Sequence, residues 1–166
     1  MAIDVYLQID GIKGESKDDK HKDWIECSSV HWSMSQPKSA TSSTCGGHTA
    51  ERAEFSDVNL TKAADLASPI LAQHCAMGKT IPKVVIEFMR ADGGTTVKYY
   101  EVVLENVIIA MCAQGVSPGD VMQEQLGLKF GKVTWKYCQQ KIAGGAGDNT
   151  AGGWDLSTNR VASCVR

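Results

Sequence analysis

The sequence predicts a mainly β fold: two sheets arranged as a barrel or sandwich, with one flanking α-helix, in a single domain over residues 1–166. Three observations predict it. Short stretches of alternating apolar and polar residues recur along the chain, beginning with Ile3, Val5, Leu7 and Ile9, the period of two of a half-buried strand. Turn signals punctuate them, among them Asp10-Gly11, Asp92-Gly93-Gly94 and the Gly115–Gly119 stretch with Pro118. Helical spacing appears once, in Ile70, Leu71, His74, Cys75 and Met77.

After the first strand, residues 14–23 form a charged loop without apolar residues. A second strand is expected from Trp24 to Met34, with Val30, Trp32 and Met34 on a core face and Ser29, His31 and Ser33 on a wet one. Residues 35–49 are rich in Ser, Thr and Gly and read as a long protruding loop, of a length that in compact domains is usually functional or disordered. Glu51 to Leu60 reads as the third strand. In the helix, Ser68 is placed as a capping hydroxyl before Pro69, and Gly78 as the stop. Val84 to Arg90 and Val97 to Leu104 form a hairpin, and Asn106 to Cys112 a central strand. Gln125 to Phe130 and Val133 to Tyr137 follow as strands. Gly144 to Gly153 reads as a flexible glycine-rich loop, and Trp154 to Val165 as a tail strand.

Composition excludes several classes. Hydrophobic residues are 43% and charged residues 22%, and 17 Lys and Arg face 19 Asp and Glu. That balance excludes a strongly basic nucleic-acid binder, and the apolar content excludes a disordered chain. No apolar run approaches the ~18 residues that span a bilayer, so no membrane insertion is expected. The N-terminus shows no signal-peptide pattern, so synthesis and assembly in the cytoplasm are expected. The six cysteines are spread without a C-x-x-C pair and read as reduced, small hydrophobes.

No motif supports an enzyme or a cofactor. Cys45 and His48, three apart, are half of a zinc pattern, and the adjacent His74 and Cys75 point to different faces of a helix. Cys75 beside His74 lacks an orienting partner in sequence, and its plainer reading is a core cysteine next to a surface histidine. There is no G-x-S-x-G elbow. The Gly144–Gly147 run has no following Lys-Ser or Lys-Thr and no helix, so it does not read as a phosphate loop. Asp18-Asp19 reads as solvated surface, and Trp32 and Trp135 as core.

A resemblance narrows the field. Lys13-Gly14-Glu15-Ser16-Lys17-Asp18, followed by His21, resembles the N-terminal signature of the haemolysin-coregulated protein family, Hcp. Further segments agree in order: Trp32-Ser33-Met34-Ser35-Gln36, Leu60-Thr61-Lys62 with Asp65, Ser68 and Pro69, Leu128-Lys129-Phe130 with Val133 and Tyr137, and Gly153-Trp154-Asp155. The resemblance implies a fold akin to phage tail tubes and a homohexameric ring with a wide channel. It implies rings stacked inside a contractile sheath and expelled with a spike protein by a type VI secretion system. It also implies that small effector proteins bind in the lumen and that secretion needs no signal peptide.

Combined with the strand reading, this makes Ser29, His31 and Ser33 the lumen candidates. The long loop, through Lys38, Ser39, Thr44, Cys45, Gly46 and Gly47, becomes the candidate for ring stacking. The six cysteines depart from the pattern expected of tube proteins. Cys45 and Cys164, if they meet between rings, form a disulfide lock; the plainer reading is unpaired thiols. A monomeric β-rich secreted adhesin or binding module is the alternative.

Overall fold

The computed structural model describes residues 3–37 and 51–162. Twelve strands and one helix follow in order: β1 (Ile3–Ile9), β2 (Ile25–Cys27), β3 (Ser29–His31), β4 (Met34–Ser35), β5 (Glu54–Phe55), β6 (Val58–Ala63), α1 (Ser68–Met77), β7 (Ile81–Asp92), β8 (Thr95–Gly115), β9 (Gln123–Lys129), β10 (Lys132–Gln140), β11 (Ala146–Asp155) and β12 (Arg160–Val161).

The long strand β8 belongs to two sheets. As far as Val107 it pairs with β7 on one side and, from Tyr100 to Glu105, with β10 on the other. Beyond Ile108 it pairs with β9. Sheet A therefore runs β12-β11-β10-β8-β7-β1-β2, and sheet B runs β3-β6-β9 and the second half of β8. The corner is Asn106, whose φ of 54° is left-handed. Asparagine is among the few side chains that adopt this region. Gly131 faces it, and a Cβ there would lie 3.3 Å from the Asn106 Cβ.

The core lies between the sheets. Leu7 and Ile9 of β1, Val84 and Ile86 of β7, and Val102 and Leu104 of β8 meet Leu60 of β6, Leu126 and Leu128 of β9, and Leu71 of α1. Each fully buried aliphatic side chain stabilises the fold by about 1.5–3 kcal/mol. The helix packs on β8. It ends where expected, at a left-handed Gly78 whose N–H donates to the Cys75 carbonyl.

Several expectations are corrected. The sheets do not close into a barrel: the run of paired strands ends at β2 and at β3, consecutive pieces of one chain segment. The expected strand over Trp24–Met34 is three pieces, because the chain leaves sheet A at Ser28, joins β6, then pairs β4 with β5. Val30 and Trp32 pack against the core, but Met34 is exposed. Residues 51–60 hold β5 and the start of β6. Asn106 to Cys112 is no separate central strand but part of β8, whose second half has one neighbouring strand among the described residues.

Most of the glycine-rich segment, from Ala146 on, forms β11, paired with β10 over most of its length. The chain after Trp154 turns into the short β12 rather than one tail strand. Ser68 does not cap α1; its hydroxyl is turned inward. Asp18 is not free surface, since it pairs with His21. The tryptophans Trp32 and Trp135 pack against the core, as expected.

Candidate functional site

The register of sheet B brings the wet residues of four strands together. Opposite His31 of β3 stands Asn59 of β6, then Gly127 of β9, then Met111 of β8. The next row is Ser29, Thr61, Gln125 and Ala113. A third row is Ala63, Gln123 and Gly115. Side chains alternate along a strand, so these rows share one face and the intervening residues share the other. Burial agrees: Val58, Leu60, Leu126 and Leu128 point inward, while Ser29, His31, Asn59, Gln123 and Gln125 are exposed.

This outer face is broad and polar. Its three rows contain no Asp, Glu, Lys or Arg. Lys129 enters only at the margin, opposite Ile108. Gly127 keeps the middle of the face low, since a Cβ there would lie 3.2 Å from the Met111 Cβ.

Of the lumen candidates, Ser29 and His31 lie in this face. Ser33 is exposed but lies beyond β3, where its N–H donates to the Ser56 hydroxyl (2.8 Å). The residues proposed for stacking, Lys38, Ser39, Thr44, Cys45, Gly46 and Gly47, lie outside the described residues, as do His48 and Cys164. Sequence reasoning missed Asn59, Thr61, Gln123 and Gln125. Their signal was present as period-two alternation with the buried residues of β6 and β9.

Directly beneath the face, a charge occupies a core position. Lys62 continues the inward series Val58, Leu60 and is fully buried. Its Nζ lies 2.5 Å from Glu124 Oε2, which is fully buried as well, and 2.9 Å from Asp65 Oδ1. It also donates to the Ala63 carbonyl at 3.0 Å. Ser68 Oγ donates to Glu124 at 2.7 Å and accepts from the Asp65 N–H at 2.9 Å. Gln114 donates to the other Glu124 oxygen. Burial pushes the Glu124 carboxyl up, but hydrogen bonds from Lys62, Ser68 and Gln114 outweigh it and hold the group below its usual range.

At two thiols near this network the thiolate is disfavoured. Burial pushes Cys27 up to about 12, and burial with Glu124 nearby pushes Cys112 up. The expected pair of core cysteine and surface histidine holds for Cys75, which packs against the core, but His74 is half-buried with Nδ1 unpartnered. Among the described residues, no three His, Cys, Asp or Glu side chains are grouped to hold a metal ion.

Fold and face define a mainly β domain that presents a wide sheet face with no Asp, Glu, Lys or Arg in its three rows. Residues 6–137 match the family described as "Type VI secretion system effector, Hcp", and the chain belongs to that family. Protein hcp1 of Pseudomonas aeruginosa strain PAO1 is 32% identical over 161 residues, which cover 96% of this chain and 98% of that one. The solved structure of a type six secretion system protein superposes with a TM-score of 0.89 at 30% identity, covering 97% of this chain and all of the other. The crystal structure of Hcp1 from Salmonella typhimurium gives a TM-score of 0.79 at 29% identity, over 98% of this chain and all of the other.

Proposed function

We propose that this protein is a structural subunit of a type VI secretion tube: six copies form a ring, rings stack, and the polar face of sheet B lines the channel. The observation that carries the reading is that face. A channel wall that must let folded cargo pass needs polarity without fixed charge, because strong local charges grip or repel what they meet. Serine, threonine, asparagine and glutamine supply adaptable hydrogen bonding, which suits weak effector binding around Ser29 and His31.

Sheet B also has two unlike free edges. Among the described residues, β3 pairs only with β6, and the second half of β8 pairs only with β9. Unpaired edges are templates for further strand pairing. Joining one edge to the other in a neighbouring copy is a head-to-tail contact, and such contacts generate rings when the rotation closes. Stacking through residues 38–47, contact with the spike and sheath, and secretion by the type VI system follow from the same reading, which assigns the chain a structural role and no catalysis.

Native mass spectrometry with light scattering, in reducing buffer, tests the proposal. A mass of six subunits is expected. A stable monomer at micromolar concentrations overturns the ring and favours a monomeric binding module.

A further inference from the structure

Besides Lys62 and Glu124, another buried ionisable side chain lies against sheet A. The loop from Asp10 to Asp23 carries four lysines, yet it lies down on sheet A, with Gly14, Ser16 and His21 buried. His21 is 2% exposed. Its ring stacks flat on Tyr6 of β1, with centroids 4.2 Å apart, and meets the Trp24 ring edge-on at 4.8 Å. Nδ1 lies 2.6 Å from Asp18 Oδ2, and Nε2 lies 2.7 Å from Glu87 Oε2 of β7. A carboxylate accepts hydrogen bonds and donates none. A neutral imidazole carries one N–H, so its other nitrogen would press a lone pair against a carboxylate oxygen. Only the imidazolium satisfies both contacts.

We propose that His21 is a proton-held clasp: the doubly protonated ring joins Asp18 of the loop to Glu87 of sheet A, and its deprotonation frees the loop. The surrounding charges make Asp18 the weak side. Glu87 has a second cation, Lys98 of β8, at 3.1 Å. Lys98 also pairs with Glu101, which Lys136 of β10 reaches at 3.8 Å. Asp18 has no cation besides His21 among the described residues. Asp4 and Glu26 flank Tyr6 and add negative potential behind the ring. Lys20 holds the rim separately through the Thr96 carbonyl at 3.1 Å.

The clasp governs a specific set of backbone bonds. Gly14 N–H donates to the Asp23 carbonyl at 2.8 Å, Ser16 N–H to the Trp24 carbonyl at 3.0 Å, and Asp23 N–H to the Ser16 carbonyl at 2.9 Å. Gly14 sits so close that a Cβ would fall 2.4 Å from the Trp24 oxygen. These amides report whether the loop is seated.

Two measurements on the wild-type protein test the clasp. Neutron diffraction at pH 7 should show deuterium on both ring nitrogens of His21. Hydrogen exchange across a rising pH series, corrected for base-catalysed chemistry, should show residues 10–24 losing protection in step with that deuteron. The expected loss is at least about tenfold, the scale of one charge-assisted hydrogen bond. Residues 81–92 of β7 should keep their protection. A ring with a single deuteron at pH 7 overturns the proposal. So does a loop whose protection stays constant after the ring has lost its proton.

Discussion

At the scale of residues, Lys62 is the least expected feature of the chain. An ammonium in a core position is tolerated because Glu124, Asp65, Ser68 and the Ala63 carbonyl surround it. Such a network is costly to break on one side only. Lys62→Met should destabilise the protein by about 3–5 kcal/mol, because it strands a buried Glu124, and replacing both partners by apolar residues should recover much of the loss. Urea denaturation of the two variants checks both statements. Acid should act on the same network and on the clasp. The His21 hydrogen bond holds Asp18 low, and hydrogen bonds from His21 and Lys98 hold Glu87 low against its burial. With Glu124, these groups have folded values below their unfolded ones. Their contribution is complete above the ordinary carboxylate range of about 4, and it is lost as pH falls through the lowered folded values. Thermal denaturation between pH 7 and pH 3 should therefore show a steep fall, and the fall should be shallower in Glu124→Gln.

At the scale of elements, β8 is where local pattern and tertiary structure part. Asn106 to Cys112 reads as a central strand, and Val107 and Ile109 are indeed buried, but among the described residues one edge of that half is unpaired. The corner depends on a left-handed Asn106. Asn106→Gly should be nearly neutral, while Asn106→Val should cost about 1–3 kcal/mol, since a β-branched residue is strained at positive φ. Chemical denaturation distinguishes the two. The helix was legible at both ends, because Pro69 and Gly78 act through their own backbones. The role of Ser68 was not legible. Its hydroxyl had a local use as a cap and a distant one toward Glu124, and only the distance of 2.7 Å in the fold decides between them.

At the scale of the whole molecule, the polar face and the two free edges of sheet B support a ring. Removing Lys38 to Gly47 should leave rings intact, because the described ladders of sheet B are built from β3, β6, β8 and β9. It should shorten or abolish tubes seen by negative-stain electron microscopy. Tubes of normal length would show that stacking uses another surface.

The sequence by itself determined the mainly β class, the position of α1, the wetness of Ser29 and His31, and the family. Each of these rests on near neighbours: a period of two, a proline and a glycine at helix ends, and a signature of consecutive residues. The tertiary structure alone decided that β8 serves two sheets, that the glycine-rich segment pairs as β11, and that His21, Lys62 and Ser68 face inward. Those outcomes depend on partners far along the chain. Glu87 lies 66 residues from His21, and Glu124 lies 62 residues from Lys62. Charged side chains read as solvated wherever their partners are out of sight, and only folding brings the opposite charge close enough to bury both.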